Sequence, residues 1–258
     1  MKEELTIQEV TTDSTSNDPV IEIIDLHKAF GTNEVLKGVN LTVNKGENLV
    51  ILGKSGSGKS ITIKCIVGLM GIDQGEINVF GTDITKLDNS GLNEIRVRIG
   101  FLFQNAALYD SMSVRENLGF TLRRHAKDLS EEEVESQIKD ILENVGLVEA
   151  IDKMPSELSG GMRKRIGLAR TLILKPEIIL YDEPTTGLDT ITSREISELV
   201  VEIQKKYKTT SIIITHDMAC AKFTGNRLMI LKDGVIHTEG TYEELEKSED
   251  EWVRSFFL

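Results

Sequence analysis

"GKSGSGKS" at residues 53–60 lies between the apolar run "NLVIL" (48–52) and the helical pattern "ITIKCIVGLM" (61–70). In the pattern G-x-x-x-x-G-K-[ST], glycines let successive backbone N–H groups curl around an anion at the start of a helix, where the helix dipole favours negative charge. A strand before it and a helix after it make this stretch a phosphate cradle rather than a flexible turn. The cradle comprises Gly53, Lys54, Ser55, Gly56, Ser57, Gly58, Lys59, Ser60 and Ile61. Lys59 is expected at the β and γ phosphates, and the Ser60 hydroxyl on Mg²⁺.

A cradle alone binds; hydrolysis needs acids nearby. "EIILYDEP" (177–184) ends an apolar run with Asp182, placed for the magnesium side of a nucleotide, and Glu183, able to orient or deprotonate an attacking water. His216 closes "SIIIT" (211–215), which brings it to the same carboxyl edge of a sheet and makes it a γ-phosphate contact. Gln104 follows "IGFLF" (99–103) and is a candidate bridge between Mg²⁺ and water. Together these residues point to hydrolysis of a nucleoside triphosphate, with Mg²⁺ as the expected ion.

Short runs rich in Val, Ile and Leu recur as "VIEIID" (20–25), "NLVILG" (48–53), "EIILYDEP", "SIIITH" (211–216) and "RLMIL" (227–231). Such runs suit strands buried on both faces of a mostly parallel sheet. Between two of them, Ile196, Leu199, Val200 and Ile203 follow the spacing of one buried helix face. The alternation predicts an α/β, doubly wound core. Residues from about 105 to 170 break it with a helical subdomain, in which Ser130 and Glu133 are spaced as a capping box. Val134, Ile138, Ile141, Leu142 and Val145 then form one stripe, and "LKDGVI" (231–236) is a hairpin signal. The organisation expected is a disordered leader over 1–18, a main domain over 19–245 and a tail over 246–258.

At 258 residues and a formal charge of −12, the chain is large enough for an enzyme and has the wrong sign for a protein that binds chiefly nucleic acid. Cys65 and Cys220 stand far apart with no metal-like spacing, so they read as small buried fillers in a protein of the cytosol. No run approaches the roughly 20 apolar residues of a membrane span.

"LSGGM" (158–162) holds no group able to run chemistry. Ser159, Gly160 and Gly161 start a helix, "MRKRIGLARTLIL" (162–174), and offer a hydroxyl and backbone donors to an anion. Since the chain already has its own cradle, this helix start reads as a cap for the nucleotide of a second copy, with two chains sandwiching two nucleotides head to tail. The cations Arg163, Lys164 and Arg165 read as a solvated helix face.

"GKSGSGKS", Gln104, "LSGGM", "ILYDEP", "TGLD" (186–189) and His216, in this order, resemble the full motif set of an ATP-binding cassette (ABC) ATPase subunit from about Val20 onward. The fold this implies is the P-loop NTPase ABC cassette, with a mixed β core and an inserted helical subdomain. The resemblance implies that Phe30 stacks on adenine and that Lys59 and Ser60 belong to Walker A, with Gln104 as the Q-loop. It also implies that Ser159 to Met162 are the signature, Asp182 and Glu183 Walker B, Asp189 the D-loop and His216 the switch histidine.

"LFQNAALYDSMSVRENLGFTLRRH" (102–125) and "LSGGMRKRIGLAR" (158–170) are similar to the Mla and Mce type lipid-transport ATPases of bacteria and plastids, whose signature is followed by Met and a basic run where many importers show Gln. This resemblance implies phospholipid transport, with a membrane permease dimer, a lipid-binding MCE protein and a small STAS-domain subunit as partners. It places the chain on the inner face of a cytoplasmic membrane. An importer for methionine or polar amino acids is the alternative. Leu108, Tyr109 and Met112, after the Q-loop, form either a groove for a permease helix or part of the subdomain core. In "SEDEWVRSFFL" (248–258), Trp252 with Phe256 and Val253 with Phe257 are i, i+4 pairs. The stripe they make packs either on its own domain or on a second protomer.

Overall fold

In the strand Asn48–Leu52, Leu49 and Ile51 enter one hydrophobic core while Val50 and Leu52 enter another on the opposite face. This two-sided burial is why the run has no polar alternation. The computed structural model describes residues 19–258, so the leader expected over 1–18 lies outside the described residues.

The strands are β1 (Pro19–Phe30), β2 (Asn33–Asn44), β3 (Asn48–Leu52), β4 (Gln74–Val79), β5 (Thr82–Asp83), β6 (Ile99–Leu102), β7 (Ile178–Asp182), β8 (Thr210–Ile214), β9 (Arg227–Lys232) and β10 (Val235–Gly240). The helices are α1 (Lys59–Ile66), α2 (Asn89–Val97), α3 (Val114–His125), α4 (Glu131–Asn144), α5 (Gly160–Leu172), α6 (Thr190–Tyr207), α7 (Met218–Thr224), α8 (Tyr242–Glu246) and α9 (Glu251–Arg254).

One sheet runs β10-β9-β3-β8-β7-β6, parallel except for β10, which pairs antiparallel with β9. The β9–β10 turn has Asp233 and Gly234 both at positive φ, 50° and 88°, as a two-residue hairpin turn with the strands' own twist requires. The second sheet, β2-β1-β4-β5, is antiparallel. It corrects the expectation that "VIEIID" joins the parallel sheet: Ile21 and Ile23 are buried, but Val20 and Glu22 are only partly so and Ile24 is exposed. That period of two belongs to a half-solvated antiparallel strand, and the apolar pairs Val20-Ile21 and Ile23-Ile24 disguise it as a continuous run.

Between β6 and β7 lie α3, α4 and α5, whose apolar faces share the core of Val50 and Leu52. Ser130 and Glu133 cap α4 reciprocally, and Val134, Ile138, Ile141, Leu142 and Val145 are all buried. Asn117, fully buried on α3, pins the preceding loop. Its Oδ1 accepts from Tyr109 N at 2.8 Å, and its Nδ2 lies within 3.1 Å of the Tyr109, Met112 and Ser113 carbonyls.

The tail folds back on its own domain. Val253 is 1% exposed, and Trp252, Phe256 and Phe257 pack against the core on the helical side. Trp252 sits edge-on to both His237 and Phe256, and Phe257 edge-on to Tyr242. Docking on a second protomer is therefore not what buries these rings; α8 and β10 offer a nearer apolar surface at no cost in association entropy. Truncation after Ser248 removes these contacts. It should lower the stability of the monomeric chain by about 3–5 kcal/mol, read as an earlier thermal or urea transition. Unchanged melting would mean that the rings are not packed as described.

Candidate functional site

The carboxyl ends of β3, β7 and β8 meet in one cleft of about 700 Å³, lined by Gly53–Gly56, Gly58–Ile61, Gln104, Glu183, His216, Ser255 and Phe256. Its floor is the loop from β3 into α1. Gly58 caps that helix at φ 106°, and a Cβ there would stand 2.6 Å from Leu36 Cδ2, so a side chain is excluded on conformation and on space. The backbone can thus turn its N–H groups toward the cleft as α1 begins. Lys59 is 7% exposed, and its Nζ donates to the Gly53 carbonyl at 2.8 Å and the Lys54 carbonyl at 3.2 Å. Burial holds its pKa below the ordinary lysine value, opposed by the charges of Glu183 and Asp182.

Ser60 Oγ donates to Asp182 Oδ1 at 2.8 Å, bridging the start of α1 to the end of β7. A hydroxyl and a carboxylate side by side at a phosphate cradle fit Mg²⁺, which takes oxygen ligands and completes its shell from phosphates and water. The next residue, Glu183, has φ 53°. Its N–H donates to the Ile214 carbonyl at 2.9 Å, and its Oε2 lies 2.8 Å from His216 Nδ1 and 3.0 Å from Thr186 Oγ1. Glu183 and His216 thus come from adjacent strands and share one hydrogen bond at the cleft. The arrangement can hold a polyphosphate, order a metal beside it and polarise a water.

Gln104 is exposed at the cleft wall. The residues after it, Ala106 and Ala107, both have positive φ, and Arg170 on α5 donates to both of their carbonyls. Phe30 is exposed at the β1–β2 turn and lines no part of this cleft. A second cleft, of about 440 Å³, lies on the other side of the loop between Asn33–Val35, Lys54–Ser57 and Trp252.

Ser159, Gly160, Gly161, Met162 and Asp189 also stand outside the cleft. Ser159 caps α5, accepting from Met162 N at 3.2 Å. Asp189 caps α6, accepting from the Ile191 and Thr192 N–H groups at 3.0 Å each. A Cβ on Gly161 would lie 2.5 Å from Thr192 Cγ2, so this glycine lets the two helix starts approach. The run 163–165 is a solvated face only at Arg163, which is exposed and donates to the Leu158 carbonyl; Arg165 is half-buried and pairs with Glu195, and Lys164 is buried. The signal was available, since Lys164 sits four residues before the buried Leu168 on the same helix face.

The chain is similar to known proteins in sequence and in fold. The profile described as ABC transporter matches residues 36–186. The probable ribonucleotide transport ATP-binding protein mkl of Mycobacterium tuberculosis is 40% identical over 236 residues, 92% of this chain and 66% of that protein. The chain thus spans about two thirds of the length of that relative. The chloroplast protein TRIGALACTOSYLDIACYLGLYCEROL 3 of Arabidopsis thaliana is 38% identical over 260 residues, 93% of this chain and 74% of that one. The methionine import ATP-binding protein MetN of Rhizobium johnstonii is 37% identical over 232 residues, 90% of this chain and 64% of that one. Among solved structures, the dimeric ATP-binding cassette MJ0796 bound to ADP and Pi superimposes with a TM-score of 0.79 at 32% identity, covering 86% of this chain and 98% of that one.

Ser255 and Phe256 are cleft residues that the sequence did not announce: the i, i+4 spacing of Phe256 with Trp252 signals burial but not the place, and Ser255 carries no signal. Phe256→Ala should weaken nucleotide binding about three- to tenfold, the effect of losing an aromatic contact worth about 0.5–1.5 kcal/mol. Equilibrium binding of a fluorescent ADP analogue checks this; an unchanged Kd would reduce the tail to a cover for the core.

Proposed function

The chain belongs to the ABC transporter family, and from that premise we propose that it is the ATP-hydrolysing subunit of a transporter whose membrane-crossing part is another chain and whose cargo is a lipid. The observation that carries the hydrolytic part is the convergence of Lys59, the Ser60–Asp182 pair and the Glu183–His216 pair on one cleft. Lys59 and the loop N–H groups bind the β and γ phosphates of ATP. Ser60 and Asp182 hold Mg²⁺, with Gln104 within the same cleft; when bound, the ion draws charge from the phosphates. Glu183 orients and deprotonates the water, and His216 fixes the Glu183 carboxylate and reaches toward the γ phosphate. No residue in the described part of the cleft is needed as a covalent nucleophile.

Ser159, Gly160, Gly161 and Met162, with Asp189, serve the nucleotide of a second copy in this reading. Their position outside the chain's own cleft, on helix starts with exposed or half-exposed ends, supports it. Phe30, exposed beyond the loop, is the adenine contact. Among the described residues no helix is long and apolar enough to cross a membrane; in this reading the crossing belongs to a permease dimer. For its docking surface we favour the strip beside Gln104. There Tyr109, 45% exposed, meets the exposed Phe120 edge-on, while Leu108 turns into the core.

Lipid cargo is favoured by Met162 and the basic run after it, by the 102–125 segment and by the likeness to a relative named for a galactolipid. The companion partners are then an MCE protein and a STAS-domain subunit, with the chain peripheral on the inner face of the membrane. The likeness to MetN supports methionine import as the second reading.

Glu183→Gln should keep ATP binding and lower kcat by 10²- to 10⁴-fold, the usual contribution of a general base, whereas Lys59→Ala should lose binding. Turnover within about threefold of wild type for Glu183→Gln would remove the general-base role. Cargo is tested by purifying the whole membrane complex and identifying bound molecules by mass spectrometry. Phospholipid is expected; a co-purifying solute-binding protein with methionine and no lipid would favour the second reading.

A further inference from the structure

Helix α5 carries one cation that the reading above leaves unused. Lys164 is 5% exposed, and its Nζ donates to the main-chain carbonyl of Glu183 at 2.9 Å. No carboxylate lies within ion-pair distance of it among the described residues. An ammonium group has three donors, and a buried cation without a paired acid is expensive to keep. A methionine would fill the same space without that penalty, so packing does not explain a lysine here. What Lys164 does have is the field of Asp182 and Glu183, which opposes the desolvation that brings its pKa down to about 8.

The residue it grips is conformationally costly. Glu183 holds φ at 53°, in the left-handed region, which for a residue with a Cβ costs about 1–3 kcal/mol. Such a backbone persists only where its surroundings fix it. Two long-range hydrogen bonds do so: the Glu183 N–H to the Ile214 carbonyl on β8, and the Glu183 carbonyl to Lys164 on α5. The residue held between them directs its carboxylate to His216 and Thr186. The Lys164 grip has a second property, because the same helix begins at Ser159 only five residues earlier, about 7.5 Å at 1.5 Å per residue.

We propose that Lys164 is a positioning residue for hydrolysis, holding the Glu183 peptide through its carbonyl and tying the helix start that faces a partner's nucleotide to the base of the chain's own. The inference rests on Glu183 being the general base. It makes α5 a rigid strut: a shift of its Ser159 end on closure of the pair is carried to the donor that fixes Glu183. Ground-state binding of ATP does not involve this contact, so the effect falls on kcat.

The test is steady-state and single-turnover ATP hydrolysis by the full chain. Lys164→Met should bind ATP with a Kd within about twofold of wild type, leave KM similarly unchanged and lower kcat by about 10- to 100-fold, the scale of losing orientation of one catalytic group. Lys164→Arg, which restores a cationic donor, should recover most of the loss. In a Glu183→Gln background, Lys164→Met should add no further loss, because it acts only through the base. Equal kcat losses in both backgrounds, kcat within about threefold of wild type for Lys164→Met, or loss of ATP binding together with kcat would each overturn the proposal. Should the methionine variant fail to fold, Lys164→Leu, which also lacks a donor, is put through the same cycle and judged by the same outcomes. Failure is separable from failure of the underlying reading: if Glu183→Gln itself keeps wild-type turnover the base assignment falls, whereas if only Lys164→Met does, the strut alone falls.

Discussion

A hydrogen bond of 2.8 Å between Ser60 and Asp182 closes the catalytic edge of the sheet, and the topology makes it necessary. The strand order places β8 between β3 and β7, so the phosphate loop and the acidic strand end are two strand spacings apart, roughly 10 Å. Only the helix that springs from the loop can span that gap, which it does by presenting its second residue to the carboxylate. The intervening β8 is then free to carry His216 to Glu183 at its own end. The Lys59 loop, Asp182, Glu183 and His216 thus come to one edge because three parallel strands end together.

The second organising element is α5. From one helix, Ser159 caps the signature turn, Lys164 holds the Glu183 carbonyl, Arg165 pairs with Glu195 on α6, and Arg170 holds the loop after Gln104. The helix therefore reaches the Glu183 backbone, α6 and the loop after Gln104. Its cations are spent on backbone carbonyls and on one acid of α6, in a chain whose net charge is strongly negative. Gly161 lets the helix start lie against Thr192, so α5 and α6 advance toward the same face together.

Much of this was legible in the sequence, for identifiable reasons. The loop at 53–60, the acids at 182–183 and His216 each end an apolar run, and a buried parallel strand leaves no other reading of where its last residue goes. The antiparallel sheet was not legible, since Ile23, Ile24 and Val20 hide its alternation and β2 carries no marker of its pairing partner. Lys164 was misread because three cations in a row suggest solvent, although its spacing to Leu168 points inward. The tail aromatics told of burial, but a short helix followed by two phenylalanines has no signal for which surface it meets. That surface is the chain's own core beside β10 and α8, with Phe256 also reaching the cleft.

"LSGGM" starts a helix outside the cleft that the chain's own phosphate loop lines, and in the proposed function a second copy completes each site. Heterodimers of Ser159→Arg and Lys59→Ala chains measure this most directly. Each variant alone leaves no intact composite site, whereas a mixed pair keeps one, formed by the Ser159→Arg chain's cradle and the Lys59→Ala chain's helix start. ATP turnover that appears in confirmed heterodimers and in neither homodimer is the predicted result. Turnover no higher in confirmed heterodimers than in the separate variants would contradict the account.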